Sequence, residues 1–292
     1  MIYRSKAPLR IGLAGGGTDV SPYSDQYGGA ILNASISLSA YASIEPLNEN
    51  KIIIQALDRN EVQEFDLVPL LPIDGKLDLL KGVYNRIQKD HLLPLPGFRL
   101  STFVDAPAGS GLGTSSTLVV AVLGAFVEML KLPLNEYNIA QYAYDIERND
   151  LQLAGGKQDQ YAATFGGVNF MEFYAGDKVI VNPLRIKPQY LYELENNLVL
   201  YFTSTSRESA AIINEQVKNV NENNEKSIEA MHQLKEQAKM IKKPCCRAGW
   251  MRLALYLIMV LSRKEKWQPI SATVILKLFM KLQKKQVQQV EK

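Results

Sequence analysis

PAGSGLGTSST, Pro107 to Thr117, stands between an extended apolar run and a segment that is apolar on nearly every side. The run before it, Phe98 to Val104, predicts a strand, and Thr114 to Leu130 predicts a buried helix. Gly109, Gly111 and Gly113 let the backbone approach a ligand at angles that side chains forbid. The chain then enters a helix N-terminus, where free N–H groups and the helix dipole attract anions. Thr114, Ser115 and Ser116 add hydroxyls that can donate to phosphate or bind a metal. The segment reads as a phosphate cradle. No Gly-Lys-Ser/Thr closes it, so it is not a Walker A loop, and it lacks the Gly-x-Gly-x-x-Gly order of a dinucleotide site. The plain alternative is a flexible loop capped by Ser and Thr.

Outward from this loop, strands cluster early and helices late. Upstream, Ala30 to Ile44, Ile52 to Leu57 and Glu64 to Val68 predict strands, and Lys76 to Lys89 has helical spacing. Downstream, Leu134 to Asn149 predicts a helix. Val168 to Phe173, Lys178 to Val181 and Asn197 to Thr203 predict strands, and Ser206 to Met240 a polar helix or helix pair. That order argues for an α+β architecture, not a doubly wound sheet. A domain boundary is expected near Pro183 to Pro188, giving units 1–185 and 186–292.

Composition narrows the functional classes. Of 292 residues, 47% are hydrophobic and 22% charged, which fits a soluble globular protein with a sizeable core. A net charge of +3 gives no reason to expect nucleic acid as a partner. The two cysteines, Cys245 and Cys246, are adjacent and suit neither a disulfide framework nor a zinc site. The two histidines, His91 and His232, lie in unrelated contexts, so a histidine base or histidine metal site is poorly supported. Arg4, Lys6 and Arg10 interrupt the N-terminus, which does not read as a signal peptide. The apolar run Leu253 to Leu261 is too short to span a bilayer, so no membrane association and a cytoplasmic location are expected.

Two further clusters carry chemistry. Ala7 to Asp19 reads APLRIGLAGGGTD, which alone is a tight turn with a helix cap. Ile146 to Gly167 reads IERNDLQLAGGKQDQYAATFGG. Glu147 on a helix face would alone be mere solvation, whereas Asp159 follows Gly155-Gly156 and precedes small residues.

Taken together, the three segments resemble the GHMP kinases, and the loop matches their PxxxGLGSS element with Thr114 where serine is commoner. The resemblance implies a two-domain α+β fold, an N-terminal ribosomal-protein-S5-like domain and a C-terminal ferredoxin-like one. It implies ATP and Mg²⁺ as cofactors and a small-molecule sugar phosphate as partner. By that match Pro107, Gly109, Ser110, Gly111, Leu112, Gly113, Thr114, Ser115 and Ser116 hold the nucleotide, and Ser115 and Glu147 bind magnesium. Asp159 becomes the general base, with Arg10 near the reacting hydroxyl. Gly16, Gly17, Thr18 and Asp19 become the sugar-binding turn. Within the family the first motif is most similar to the bacterial heptose 7-phosphate kinases. Galactokinase and mevalonate kinase carry Gly-Glu-His where this chain has Gly15-Gly16-Gly17, and fucokinase-like proteins share the Ala-Gly-Gly turn. A non-catalytic sensor on the same scaffold would have no need of Asp159, Glu147 and Ser115.

The resemblance covers residues 1 to about 240 and then fails. The family's third glycine-rich loop is missing, since the last glycine is Gly249. KKPCCRAGWMRLALYLIMVL, from Lys242, has no clear period, and both tryptophans lie beyond it or within it. A shifted reading frame accounts for this. In that frame Trp250-Met251 encodes Asp and Trp267-Gln268 encodes Ala, and the permitted codons include a capped helix and a glycine loop. The alternative is a divergent tail.

Overall fold

The computed structural model describes residues 1–91, 95–200 and 209–246. Its centre is a seven-stranded sheet. The strands are β1 (Tyr3–Ala14), β2 (Gly29–Pro46), β3 (Lys51–Ala56), β4 (Glu61–Asp66), β5 (Phe98–Val104), β6 (Val168–Phe173) and β7 (Val179–Pro183). β2 runs the length of the sheet and organises it. One of its edges pairs antiparallel with β1 from Leu32 to Ile44. The other pairs with β6 at Gly29 to Ala34 and with β5 at Ala40 to Pro46. The order β4-β3-β5-β2-β6-β7 follows, with β3 and β5 parallel.

The helices are α1 (Tyr23–Tyr27), α2 (Asp78–His91), α3 (Thr114–Leu130), α4 (Glu136–Asp145), α5 (Gln158–Phe165), α6 (Pro188–Asn197), α7 (Ser209–Asn221) and α8 (Glu225–Cys246). A wide π-type turn, Ile146–Asp150, continues α4. On one face of the sheet, Val119, Leu123 and Phe126 of α3 pack with Ile44, Ile54 and Leu100, and Tyr84 of α2 closes that layer. On the other face, Leu234, Ala238 and Ile241 of α8 pack with Leu13, Leu32 and Phe170. The first third of β2, Gly29 to Ala34, is therefore buried on both faces and reads as an unbroken run, apolar but for Asn33, not an alternation.

Helix α3 spans the range its apolar character predicts, and β5 and β6 also match their predicted bounds. The expected polar stretch resolves into the pair α7 and α8, broken at residues 222–224. The strand expected over Asn197 to Thr203 is not found where it is described. Asn197 closes α6, 198–200 have no regular structure, and 201–203 lie outside the described residues. Pro188 in the first turn of α6 fixes φ where a helix begins, and the buried Leu194 anchors it. Past Pro183, Leu194 and the apolar face of α8 join the core of the β1–β2–β6 sheet. The tail beyond Cys246, with its proposed frame change, lies outside the described residues. No described helix is long and apolar enough to cross a membrane.

One irregularity in the sheet prepares the site. Register slips between Pro8 and Arg10, where Pro8 faces Ser39 but Arg10 faces Ser35. Proline cannot donate to the ladder, and a bulge at such a point re-aims the neighbouring side chain. Leu9, fully buried inside the slip, packs with Ala106 and Leu112. Burying such a leucine contributes about 1.5–3 kcal/mol, and here it also seats the loop that follows β5.

Candidate active site

The slip sends Arg10 toward that loop. Its Nη1 donates to the Gly111 carbonyl at 2.8 Å, and its Nε meets Asp159 Oδ1 at 2.6 Å. Its own backbone N–H donates to the Leu112 carbonyl at 3.2 Å. One side chain thus ties the first strand, the loop and α5 together. Gly109, Gly111 and Gly113 take φ of 75°, 79° and 78°, the left-handed region that favours glycine. At Gly113 a second reason applies. A Cβ there would stand 3.2 Å from Asp159 Cγ, so the loop comes close to that carboxylate at the mouth of α3. Oδ2 of Asp159 has no hydrogen-bond partner among the described residues.

Asp159 sits in the first turn of α5, a helix the sequence does not announce. The eight residues of α5, set between Gly155-Gly156 and Gly166-Gly167, are too few to display a helical period. The preceding loop is held by Arg148, which donates to the carbonyls of Gly156 and Leu153. At Gly156 an added Cβ would come within 1.9 Å of Asp19 Oδ2, so the backbone abuts the second carboxylate. Asp19 also accepts the Gln158 backbone N–H at 2.9 Å. The glycine turn and the Asp159 segment, 139 residues apart, meet here. Burial pushes the Asp19 carboxyl up from its ordinary range, against the pull of the Gln158 N–H; nearby Asp159 adds to the rise and Arg10 opposes it.

The glycine turn itself divides in role. Gln216 of α7 donates to the Gly17 carbonyl at 2.6 Å, so the turn is propped from the C-terminal side. Thr18, expected among the sugar-binding residues, is fully buried and its hydroxyl is spent within the fold. It accepts from the Ala30 N–H at 3.0 Å and donates to the Gly15 carbonyl at 2.8 Å. Thr18 holds the turn, while Asp19, 3% exposed, is turned to the Gln158 N–H.

A buried polar cluster lies beneath the loop. Glu147, in the π-type turn, is 1% exposed and accepts from Gln160 Nε2 at 2.5 Å. Such turns are common at functional positions, because they shift one side chain out of the helical row. Gln160 Nε2 also reaches Ser116 Oγ at 3.1 Å, and the Ser116 hydroxyl donates to Glu147. The pair expected from the sequence to bind magnesium is Ser115 with Glu147. The hydroxyl beside Glu147 is that of Ser116, whereas Ser115 is exposed. Consecutive helical residues point about 100° apart, so two adjacent serines cannot share one direction. Burial raises the Glu147 carboxyl, countered by Arg148 and by the Ser116 and Gln160 hydrogen bonds. Gln160 Oε1 is buried without a partner among the described residues. Gln160 was missed at the sequence level, where it was no more than the residue after Asp159.

One turn past Glu147 a cleft of about 780 Å³ opens, walled by Pro69, Leu70, Ile73, Gly82, Asn149 and Leu151. It lies between the β4–α2 connection and the π-type turn.

The family profile described as "GHMP kinases N terminal domain" matches residues 78–167. The D-glycero-alpha-D-manno-heptose 7-phosphate kinase of Campylobacter jejuni is 52% identical over 87% of this chain and 74% of its own. The crystal structure of a D-glycero-D-manno-heptose 1-phosphate kinase from Bacteriodes thetaiotaomicron superposes with a TM-score of 0.81 at 49% identity. That match covers 91% of this chain and 80% of the other. A bifunctional fucokinase/GDP-fucose pyrophosphorylase of Arabidopsis thaliana is 28% identical over 80% of this chain but 23% of its own. The loop, the carboxylates and these likenesses agree: the chain belongs to the GHMP kinases and is a sugar kinase.

Proposed function

We propose that the protein transfers the γ-phosphoryl group of ATP to the anomeric hydroxyl of a D-glycero-D-manno-heptose 7-phosphate. The observation that carries this reading is the junction of Arg10, Asp159 and the Gly111–Gly113 loop, with an Oδ1 contact of 2.6 Å. It brings a carboxylate, a cation and a row of loop amides to one point. Likeness to two kinases of heptose phosphates supports the acceptor, and the Ala-Gly-Gly turn without a Glu-His pair agrees with it.

In this reading the loop amides and the N-terminus of α3 hold the nucleotide phosphates. The apolar wall of the cleft at Leu70 and Ile73 receives the base and ribose. Asp19 accepts hydrogen bonds from sugar hydroxyls, which a carboxylate can take in pairs. Asp159 Oδ2 takes the proton of the attacking hydroxyl, while Arg10 fixes Oδ1 and faces the negative charge that builds on the transferring group. Glu147, the Ser116 hydroxyl and the unpaired Gln160 Oε1 form an all-oxygen set, which suits Mg²⁺, a hard cation that prefers one or two carboxylates plus phosphate oxygens. When bound, Mg²⁺ neutralises charge on the phosphates during transfer. Apart from that, catalysis falls to positioning by these side chains.

A coupled ATP-consumption assay tests the acceptor. The heptose 7-phosphate should give the highest kcat/KM among it, galactose, mevalonate and homoserine. Galactose or mevalonate in first place would overturn the assignment.

A further inference from the structure

Lys157 carries a charge that the transfer chemistry leaves unused. Its side chain is 4% exposed, yet its Nζ is held by a carboxylate that is 63% exposed, Asp177 Oδ1 at 2.8 Å. Nζ also lies 5.3 Å from the centroid of the Tyr144 ring. A buried ammonium is costly unless paired, so something anionic must stand beside it. Asp177 does so from the turn joining β6 and β7, residues 174–178, with φ of 57°. The cation is thus closed off from solvent by a carboxylate that itself faces solvent.

Its position relates it to the acceptor. Lys157 directly precedes Gln158, whose N–H holds Asp19, and lies two residues before Asp159. The guanidinium groups nearby are engaged by the site itself. Arg10 serves Asp159 and the Gly111 carbonyl, and Arg148 serves Glu147 and the carbonyls of Gly156 and Leu153. The partner of Lys157 is instead a carboxylate exposed to solvent.

We propose that Lys157 binds the non-reacting phosphate of a phosphorylated sugar acceptor, and that Asp177 yields its place when that phosphate arrives. The proposal rests on the sugar phosphate reading above. A phosphate dianion brings more charge and more acceptor oxygens than one carboxylate, so the exchange favours it. A sugar without the phosphate gains nothing from displacing Asp177. The pair therefore selects as well as binds, because the carboxylate competes with every weaker ligand.

The test compares heptose 7-phosphate with the same heptose lacking its phosphate, in wild type, Lys157→Met and Asp177→Ala. The KM for ATP is followed in each. Lys157→Met should lower kcat/KM for the phosphorylated sugar by about 10²-fold, with little change for the plain sugar or for ATP. Asp177→Ala should lower the KM for the phosphorylated sugar severalfold and leave the plain sugar alone. A merely structural ion pair predicts otherwise: Asp177→Ala would raise that KM or leave it unmoved, and Lys157→Met would harm both sugars alike. Either result overturns the proposal. If wild type prefers the phosphorylated sugar and both variants keep that preference, the subsite fails while the acceptor reading stands. If wild type shows no such preference, both fall.

Discussion

Asp159→Asn should reduce kcat by about 10²–10⁴-fold while leaving nucleotide affinity nearly unchanged. Asparagine keeps the shape of the side chain and can still accept from Arg10 Nε at the position of Oδ1. It cannot take a proton from the acceptor hydroxyl. The Gly109–Gly113 loop is braced separately, by the Arg10 bond to the Gly111 carbonyl and by Leu9 against Leu112. The loss should therefore fall on turnover and not on binding. Titration with a fluorescent ATP analogue beside steady-state kinetics separates the two. A variant that keeps more than about a tenth of the parent rate would remove Asp159 from the role of base.

Gln160→Leu should weaken binding of the metal–nucleotide complex by about 10–100-fold, the usual cost of losing a residue that orients a metal ligand. Gln160 is fully buried and joins Glu147 to Ser116 through one amide nitrogen, at 2.5 and 3.1 Å. Leucine fills similar space but leaves both oxygens without that donor, so the carboxylate loses its fixed direction. Electron paramagnetic resonance of Mn²⁺, titrated with a non-hydrolysable ATP analogue, reads the binding without turnover. The metal-free affinity for the analogue should change little. Equal losses with and without metal would mean that Gln160 serves packing alone.

The sequence shows the phosphate loop clearly because its chemistry is local. Gly109 to Thr117 lie in one unbroken stretch, and the strand before and helix after them have strong, unmixed patterns. Contacts made across the fold are less legible. Arg10 and Asp159 are 149 positions apart, and their pairing could be placed beforehand only through family resemblance. The choice between Ser115 and Ser116 depends on helical phase and on which neighbour α5 presents, and α5 is too short to announce itself. Thr18 looks like a ligand in the string GGGTD, but the Ala30 backbone claims its hydroxyl. Nothing in the residues around Lys157 announces that the fold buries it against Asp177.

Phosphorus-31 NMR of the product tests the central claim most directly. ATP, Mg²⁺ and D-glycero-D-manno-heptose 7-phosphate are incubated with the protein, and the spectrum is followed with time. The account predicts ADP together with an equal amount of a sugar bisphosphate, whose new phosphorus resonance couples to the anomeric proton. ADP accompanied by inorganic phosphate alone, or a new phosphate at a hydroxyl other than the anomeric one, would contradict it.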